Sequence, residues 1–545
     1  MRRLRQGRAR LILYGLEENY CPRIMTRYFN TAGPCDPDRN YILPPERRLP
    51  EVETLIERAL YFVIHAPRQT GKTTSIRNLA QRLTAQERYT ALVVSCEEGQ
   101  AAGNRLEEGV SAVLEAIRQA ARADLPESLR PPLADPSVPA TNRLQDLLTR
   151  WTLASPRPVV LFLDEIDSLR DEVLLSVLRQ LRAGYASRPR TFPQSVALIG
   201  LRDVRDYRIR VRAEAESLGT SSPFNIKVTS LRLRNFTEAE VEELYGQHTE
   251  ETGQVFRPGT VSRCFELTKG QPWLVNALAA EITDQLVPDR KTAIELAHVE
   301  EAKERLIQRR DTHLDSLIDR LREPRVRRVL EPILAGELLS PDLLDDDVQF
   351  VMDLGLVTSG PAGLEIANPI YREVIPRALT WVVQEGLPFR RASFLSPDGQ
   401  LRTEKILADF RDFWCQNADF FLERQPYSEA AGQLIFMAFL QRIVNGGGFI
   451  DREFGVGSGR IDLCVRQPWS GGVQRWAVEL KVWREGRPDP LPGGLSQLSQ
   501  YLTKLGLDSG TLVLFDTRAD ASALPERCSL SEVEHDGKRI QVLRL

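Results

Sequence analysis

Four apolar runs punctuate the first 200 residues: Tyr61-Phe-Val-Ile64, Thr90-Ala-Leu-Val-Val-Ser95, Pro158-Val-Val-Leu-Phe-Leu163 and Ser195-Val-Ala-Leu-Ile-Gly200. Runs with no polar alternation predict strands covered on both faces, as in a parallel sheet packed between helices. Helical spacing predicts helices over 51–60 (apolar Val52, Leu55, Ile56 and Leu60), about 73–83 and about 104–123, with an arginine-rich helix before the fourth strand. Pro and Gly make 27–50 an approach loop and 125–139 a proline-rich excursion. Further on, Thr237 followed by Glu240 spells a capping box, and Pro272 after Thr268-Lys-Gly270-Gln opens another helix. Residues 325–334 and about 341–354 predict helices, followed by a hairpin, Leu356-Val-Thr-Ser-Gly360 to Leu364-Glu-Ile, with Gly360 and Gly363 in its turn.

The pattern changes near residue 385. Helices are predicted at 403–416 and 428–444, the second capped by Ser428. Three strand-like segments follow: Phe449-Ile-Asp-Arg-Glu-Phe454, Arg460-Ile-Asp462-Leu-Cys-Val465, and Gln474-Arg-Trp-Ala-Val-Glu479-Leu-Lys481-Val-Trp483. Glycine-rich turns join them, at Gly455-Val-Gly457-Ser-Gly459 and Ser470-Gly-Gly.

A chain of 545 residues exceeds one core and implies three or four domains. Its net charge of −3 does not advertise nucleic acid, so any such surface must be local. The seven cysteines are scattered without a C-x-x-C pair, which suits reduced thiols in a cytoplasmic protein without structural zinc. The five histidines are equally dispersed, and His65 reads as a packed strand-end residue. No apolar run approaches the ~20 residues that span a bilayer. The basic residues 1–24 read as a tail, with Met25 an alternative start.

The first run leads into Ala66-Pro67-Arg68-Gln69-Thr70-Gly71-Lys72-Thr73-Thr74, which has the spacing of a phosphate-binding loop before a helix. Unpaired N–H groups at a helix start favour polyphosphate. Lys72 would reach the β- and γ-phosphates of ATP, and the Thr73 hydroxyl would ligate Mg²⁺. Ala66 stands where the motif has glycine, which requires that its backbone avoid positive φ. The third run ends in Asp164-Glu165: Asp164 would hold the metal through water, and Glu165 would polarise the attacking water. The fourth run ends at Arg202 and Asp203, either of which could sense a γ-phosphate.

The loop, Asp164-Glu165 and Gly270-Gln-Pro272 together resemble AAA+ ATPases of the STAND and archaeal-ATPase type, over about residues 40–380. That resemblance implies a parallel sheet with the loop's strand central, a helical lid carrying the G-x-P turn, and a winged helix. The lead-in commonly wraps the base, which makes Tyr41 to Leu43 weak candidates for that contact. A winged helix can touch DNA, but Asp342, Asp345, Asp346 and Asp347 favour a structural role here.

In the third C-terminal strand, alternation puts Glu479 and Lys481 on one face, with Val478, Leu480 and Val482 toward the core. With Asp462 on the neighbouring strand this predicts a magnesium site: Asp462 and Glu479 hold the cation, and Lys481 orients or activates water. Residues 400–520 resemble the PD-(D/E)XK nuclease superfamily, with Ile461 in place of the motif's proline. The resemblance implies Glu429 as an outer acid, and Gln497 and Tyr501 as the Q-x-x-x-Y element of the RecB-like branch.

The expected fold is therefore α/β: a P-loop parallel sheet with helical lid and winged helix, plus a C-terminal α/β restriction-endonuclease-like domain. Expected boundaries are a basic tail at 1–24, ATPase core 25–230, lid 231–320, winged helix 321–380, linker 381–400 and nuclease-like domain 401–545. The two sites are expected on separate cores. The expected function is an ATPase gating a Mg²⁺-dependent nuclease on DNA, with a defence role against foreign DNA and nucleotide-dependent self-association. The alternative is a nucleotide-dependent switch whose C-terminal domain binds nucleic acid or a protein without cutting.

Overall fold

In the computed structural model the described residues are 27–44, 47–200, 227–309, 319–334, 339, 345–361, 363–379, 394–422, 430–444, 448–456, 459–518 and 520–545. Met25, Arg202, Asp203, Asp342, Ser428 and Glu429 lie outside them, as does most of the expected linker. Among the described residues no helix is long and apolar enough to cross a membrane.

The N-terminal part runs α1 (Val52–Glu57), β1 (Tyr61–His65), α2 (Lys72–Ala85), β2 (Thr90–Ser95), α3 (Leu106–Asp124), α4 (Ala140–Ala154), β3 (Val159–Asp164), α5 (Asp171–Gly184), β4 (Ser195–Gly200) and β5 (Lys227–Arg232). The strands pair in parallel in the order β2-β3-β4-β1-β5. Strand β1 is therefore interior, while the middle place belongs to β4, a small departure from the expected order. Two elements beyond the predicted set appear, α4 and the edge strand β5. Alternate strand residues serve different layers: Tyr61, Val63, Leu161 and Leu163 pack with α3, α4 and α5, whereas Phe62, Ile64, Val160 and Phe162 pack with α1 and α2. The proline-rich excursion is tied down by Trp151, whose indole N–H donates to the Leu129 carbonyl at 2.9 Å.

A helical layer follows: α6 (Glu238–Thr252), α7 (Thr260–Thr268), α8 (Pro272–Ala280) and α9 (Leu296–Arg309). The capping box is present at α6, with Thr237 and Glu240 bonding reciprocally, and Pro272 occupies the first turn of α8. Between them, Gly270 adopts φ +69°, and a Cβ there would lie 1.9 Å from the Phe236 carbonyl oxygen. The approach loop is strapped to this layer. Tyr41 and Leu43 are buried in its core, and the Ile42 carbonyl accepts from Gln247.

A hairpin module comes next: α10 (Pro324–Leu334), α11 (Asp346–Asp353), β6 (Val357–Gly360), β7 (Gly363–Ile366) and α12 (Pro369–Leu379). Its hairpin turns between Gly360 and Gly363, as the spacing predicts. Asp345 caps α11, and Asp347 takes Arg325 at 2.6 Å and Arg328 at 3.1 Å. This module shares one apolar core with the helical layer. At their junction Lys303 of α9 is 2% exposed and faces Glu373 of α12 at 3.2 Å, Glu304 at 3.5 Å and Glu300 at 3.6 Å. Removing one partner from a cluster this enclosed costs about 3–5 kcal/mol, since the others stay buried and uncompensated.

The C-terminal part has α13 (Thr403–Leu422), α14 (Ala431–Val444), β8 (Phe449–Val456), β9 (Gly459–Trp469), β10 (Gly472–Trp483), α15 (Leu491–Leu505), β11 (Ser509–Asp516), α16 (Leu524–Arg527), β12 (Ser529–His535) and β13 (Lys538–Arg544). These strands form one mixed sheet, β12-β13-β11-β10-β9-β8. One face packs against α13 and α14, the other against α15. Phe394, in the stretch expected as linker, is buried in that core. The two sites sit on different apolar cores, but the C-terminal part is not detached: Ala430 and Leu434 at the start of α14 are buried in the core of the helical layer and hairpin module.

Gly270→Ala should lower stability by roughly 2 kcal/mol or more, because it adds both a clash and a strained positive φ. A urea midpoint unchanged from wild type would contradict that account.

Candidate functional site

Parallel pairing brings the ends of β1, β2 and β3 to one edge of the first sheet, and the loop 66–73 crosses that edge. Ala66 is not among the positive-φ residues, so the missing glycine is tolerated; the left-handed positions fall at Gln69 (φ +56°) and Gly71 (φ +81°). Lys72 folds back under the loop, its ammonium donating to the carbonyls of Ala66 at 2.6 Å and Pro67 at 2.7 Å. Burial pushes its pKa down to about 8, against the opposing pull of Asp164. Thr70 closes the loop by donating to the Pro67 carbonyl, and the Thr74 hydroxyl accepts the Cys35 N–H at 3.0 Å. Arg68 is exposed.

Thr73 and Asp164 meet directly, with the hydroxyl donating to Asp164 Oδ2 at 2.7 Å. Asp164 is 3% exposed, and burial raises its pKa although the Thr73 bond opposes the shift. Glu165 sits in a left-handed conformation (φ +55°), and its carboxylate takes the Ser95 hydroxyl at 2.7 Å. The structure thus brings Lys72, Thr73, Asp164 and Glu165 together at this edge, while the sensor candidates Arg202 and Asp203 lie outside the described residues. Two neighbours were missed. Ser95 is one: the register pairs it with Asp164, but strand order is not readable from the sequence. Arg48 is the other, a buried arginine donating to the Arg234 carbonyl, with Nη1 3.3 Å from where a Cβ on Gly71 would lie. A guanidinium keeps its charge even when buried, so Arg48 places a cation beside the loop.

The surrounding elements close over this edge. The Gln271 side-chain amide reaches the Gln69 carbonyl at 3.5 Å, and a Cβ on Gly355 of the hairpin module would come within 2.7 Å of the Pro67 ring. His65 faces the same module, with Nδ1 4.0 Å from Asp353 Oδ1. Between loop, layer and module lies a cavity of about 760 Å³, lined by Arg68, Thr70, Lys269, Gln271, Gly355 and Asn368 among others. That volume falls within the roughly 300–1,000 Å³ of small-ligand sites.

Residues 47–192 match the family described as the AAA ATPase domain. This segment is an ATPase domain of the AAA-type P-loop class. ATP is its nucleotide. Comparison with curated proteins gives no match. Among solved structures, the Walker-type ATPase of Pyrococcus abyssi is 14% identical at a TM-score of 0.44, the match covering 64% of this chain and 99% of that one. ORC2 of Aeropyrum pernix is 15% identical at 0.38, covering 62% and 92%. The RuvB Holliday junction branch migration motor of Thermotoga maritima is 16% identical at 0.33, covering 59% and 90%.

A second cluster lies in the C-terminal sheet. Strand β10 pairs with β9 only as far as Val478–Leu463, and with β11 from Val478 onward. Where the β9 ladder stops, the Asp462 carboxylate replaces it by accepting the Leu480 N–H at 2.7 Å. Glu479 is 0% exposed, which excludes a surface charge pair on a half-exposed strand. Its Oε1 takes the Lys481 ammonium at 2.7 Å; its Oε2 has no hydrogen-bond partner among the described residues. Burial, reinforced by Asp462 and opposed by Lys481, lifts the Glu479 pKa to about 7. Burial works against the Lys481 charge, but Glu479 and Asp462 outweigh it and hold its pKa above the usual value. Helix α15 completes the cluster: Gln497 accepts from Lys481 at 3.0 Å and donates to the Tyr501 hydroxyl at 3.4 Å. Gly494 lets that helix approach the sheet, since a Cβ there would come within 2.9 Å of the Leu512 side chain.

Lys72→Ala should abolish tight ATP binding while leaving the fold intact, since among the described residues the lost ammonium's hydrogen bonds go to loop carbonyls. Glu165→Gln should bind ATP and hydrolyse it at least tenfold more slowly. Wild-type nucleotide binding by Lys72→Ala, measured by fluorescence titration, would show the loop to be misassigned.

Proposed function

We propose that this chain is an ATP-gated, Mg²⁺-dependent nuclease acting on DNA. The observation that carries the reading is Glu479, a fully buried carboxylate with one oxygen on Lys481 and the other without a hydrogen-bond partner among the described residues. An orphaned buried carboxylate oxygen is costly unless something binds it. A hard cation that keeps several waters needs only one or two carboxylates, and Asp462 with Glu479 supplies two. Two carboxylates with room left for coordinated waters suit magnesium.

Bound there, Mg²⁺ would polarise a phosphodiester and lower the pKa of a coordinated water. Asp462 and Glu479 hold that charge in place. The Lys481 ammonium, fixed by Glu479 and Gln497, positions the attacking water and offsets negative charge gathering on the phosphoryl oxygens. Tyr501 keeps Gln497 turned toward Lys481. At the nucleotide site Lys72 exchanges two carbonyl contacts for phosphate oxygens, and Arg48 adds a second cation. Thr73 and Asp164 are already paired where Mg²⁺ would join them, and Glu165 orients water. We read the helical layer as a lid and the hairpin module as a winged helix with a structural role, because Asp345 and Asp347 are engaged within the module itself.

Asp462→Ala and Lys481→Ala should each reduce Mg²⁺-dependent cleavage of linear or circular DNA by at least a hundredfold, with ATP turnover largely retained. EDTA should stop the wild-type protein. Cleavage at the wild-type rate in both variants would reject the nuclease.

A further inference from the structure

We infer that the buried ion cluster centred on Lys303 is the joint through which the nucleotide-dependent position of the helical layer reaches the C-terminal carboxylate site. The inference rests on the gating reading above and names the residues that perform it. A continuous set of contacts links the two sites. At the phosphate loop, Gln69 meets Gln271, which begins α8. Where α8 ends, Glu281 is buried and paired with both Arg305 and Arg309 of α9. A shift of α8 is thus transmitted to α9 through charge pairs that cannot be left open.

Lys303 lies on the same helix, enclosed by Glu300, Glu304 and Glu373. Arg377 closes the group by bridging Glu373 at 3.1 Å and Glu304 at 3.5 Å. Because Glu373 and Arg377 belong to α12, α9 cannot slide past that helix without stranding charges away from water. Such an arrangement moves as one body or re-forms in a second discrete position, which is the behaviour a switch requires. Helix α12 in turn packs against α14 and β8 of the C-terminal part, and Ala430 and Leu434 are buried on the same core. The last link is β8 itself, which pairs antiparallel with β9, Ile450 opposite Val465 and Arg452 opposite Leu463. Asp462 stands on β9, and its carboxylate replaces the ladder beside Glu479.

The test compares hydrogen exchange in the full-length chain with and without a non-hydrolysable ATP analogue. In the wild type, the analogue should change exchange at least threefold both at 269–280 and along β9. In Lys303→Met/Glu373→Gln, which removes one buried charge of each sign, the first response should persist and the β9 response should vanish. Glu300→Gln, at a half-buried position, is the milder variant and should at least halve the β9 response. An undiminished β9 response in these variants, or a wild-type β9 that ignores the analogue while 269–280 responds, would overturn the joint. DNA cleavage is measured on the same samples. A Lys303-dependent β9 response without cleavage supports the joint and removes the nuclease reading alone.

Discussion

Parallel pairing is the constraint on which the N-terminal half depends. Because β1, β2 and β3 run the same way, their C-terminal ends share one edge, and the polar residues that terminate their apolar runs converge there without further design. The register places Ser95 opposite Asp164, and the loop after β1 brings Thr73 onto the same carboxylate. A phosphate-binding edge of this kind would be filled by water if left open. The approach loop, helical layer and hairpin module all close upon it, through Cys35 on Thr74, Gln271 on Gln69 and Gly355 against Pro67.

The C-terminal sheet reaches a comparable concentration of charge by a different route. Its key strand changes partners midway, antiparallel to β9 in its first half and parallel to β11 in its second. The change leaves one edge of β10 unpaired beyond Val478, and Asp462 fills it. A carboxylate doing the work of a strand must point inward, which brings it beside the buried Glu479. Helix α15 then seals the face and supplies Gln497 and Tyr501.

Legibility in the sequence followed the range of the interactions. The loop 66–73, the acids after β3, the Thr237 capping box and the Gly270-Gln-Pro272 turn are local patterns, and each appears where its spacing predicts. Glu479 and Lys481 were readable as one face of a strand, but the depth of burial was not, because it depends on α15 lying across them. Strand β5, Lys-Val-Thr-Ser-Leu-Arg, has no apolar run to announce it; it belongs to the sheet because β1 has a free edge. Helix α4 carries a readable stripe in Leu144, Leu147, Leu148 and Trp151, hidden by the prolines before it. Arg48 was beyond reach, since its place beside Gly71 comes from folding the approach segment back over the loop.

The burial of Ala430 and Leu434 outside their own sheet's core bears on how such a chain could have been assembled. A catalytic unit attached by a mere tether can be exchanged between genes as a cassette, with only the tether to rebuild. Here a replacement unit would have to bring a matching pair of small and apolar side chains at the start of its second helix. Cutting the chain at this boundary would instead uncover the part of the helical layer's core that Ala430 and Leu434 now fill.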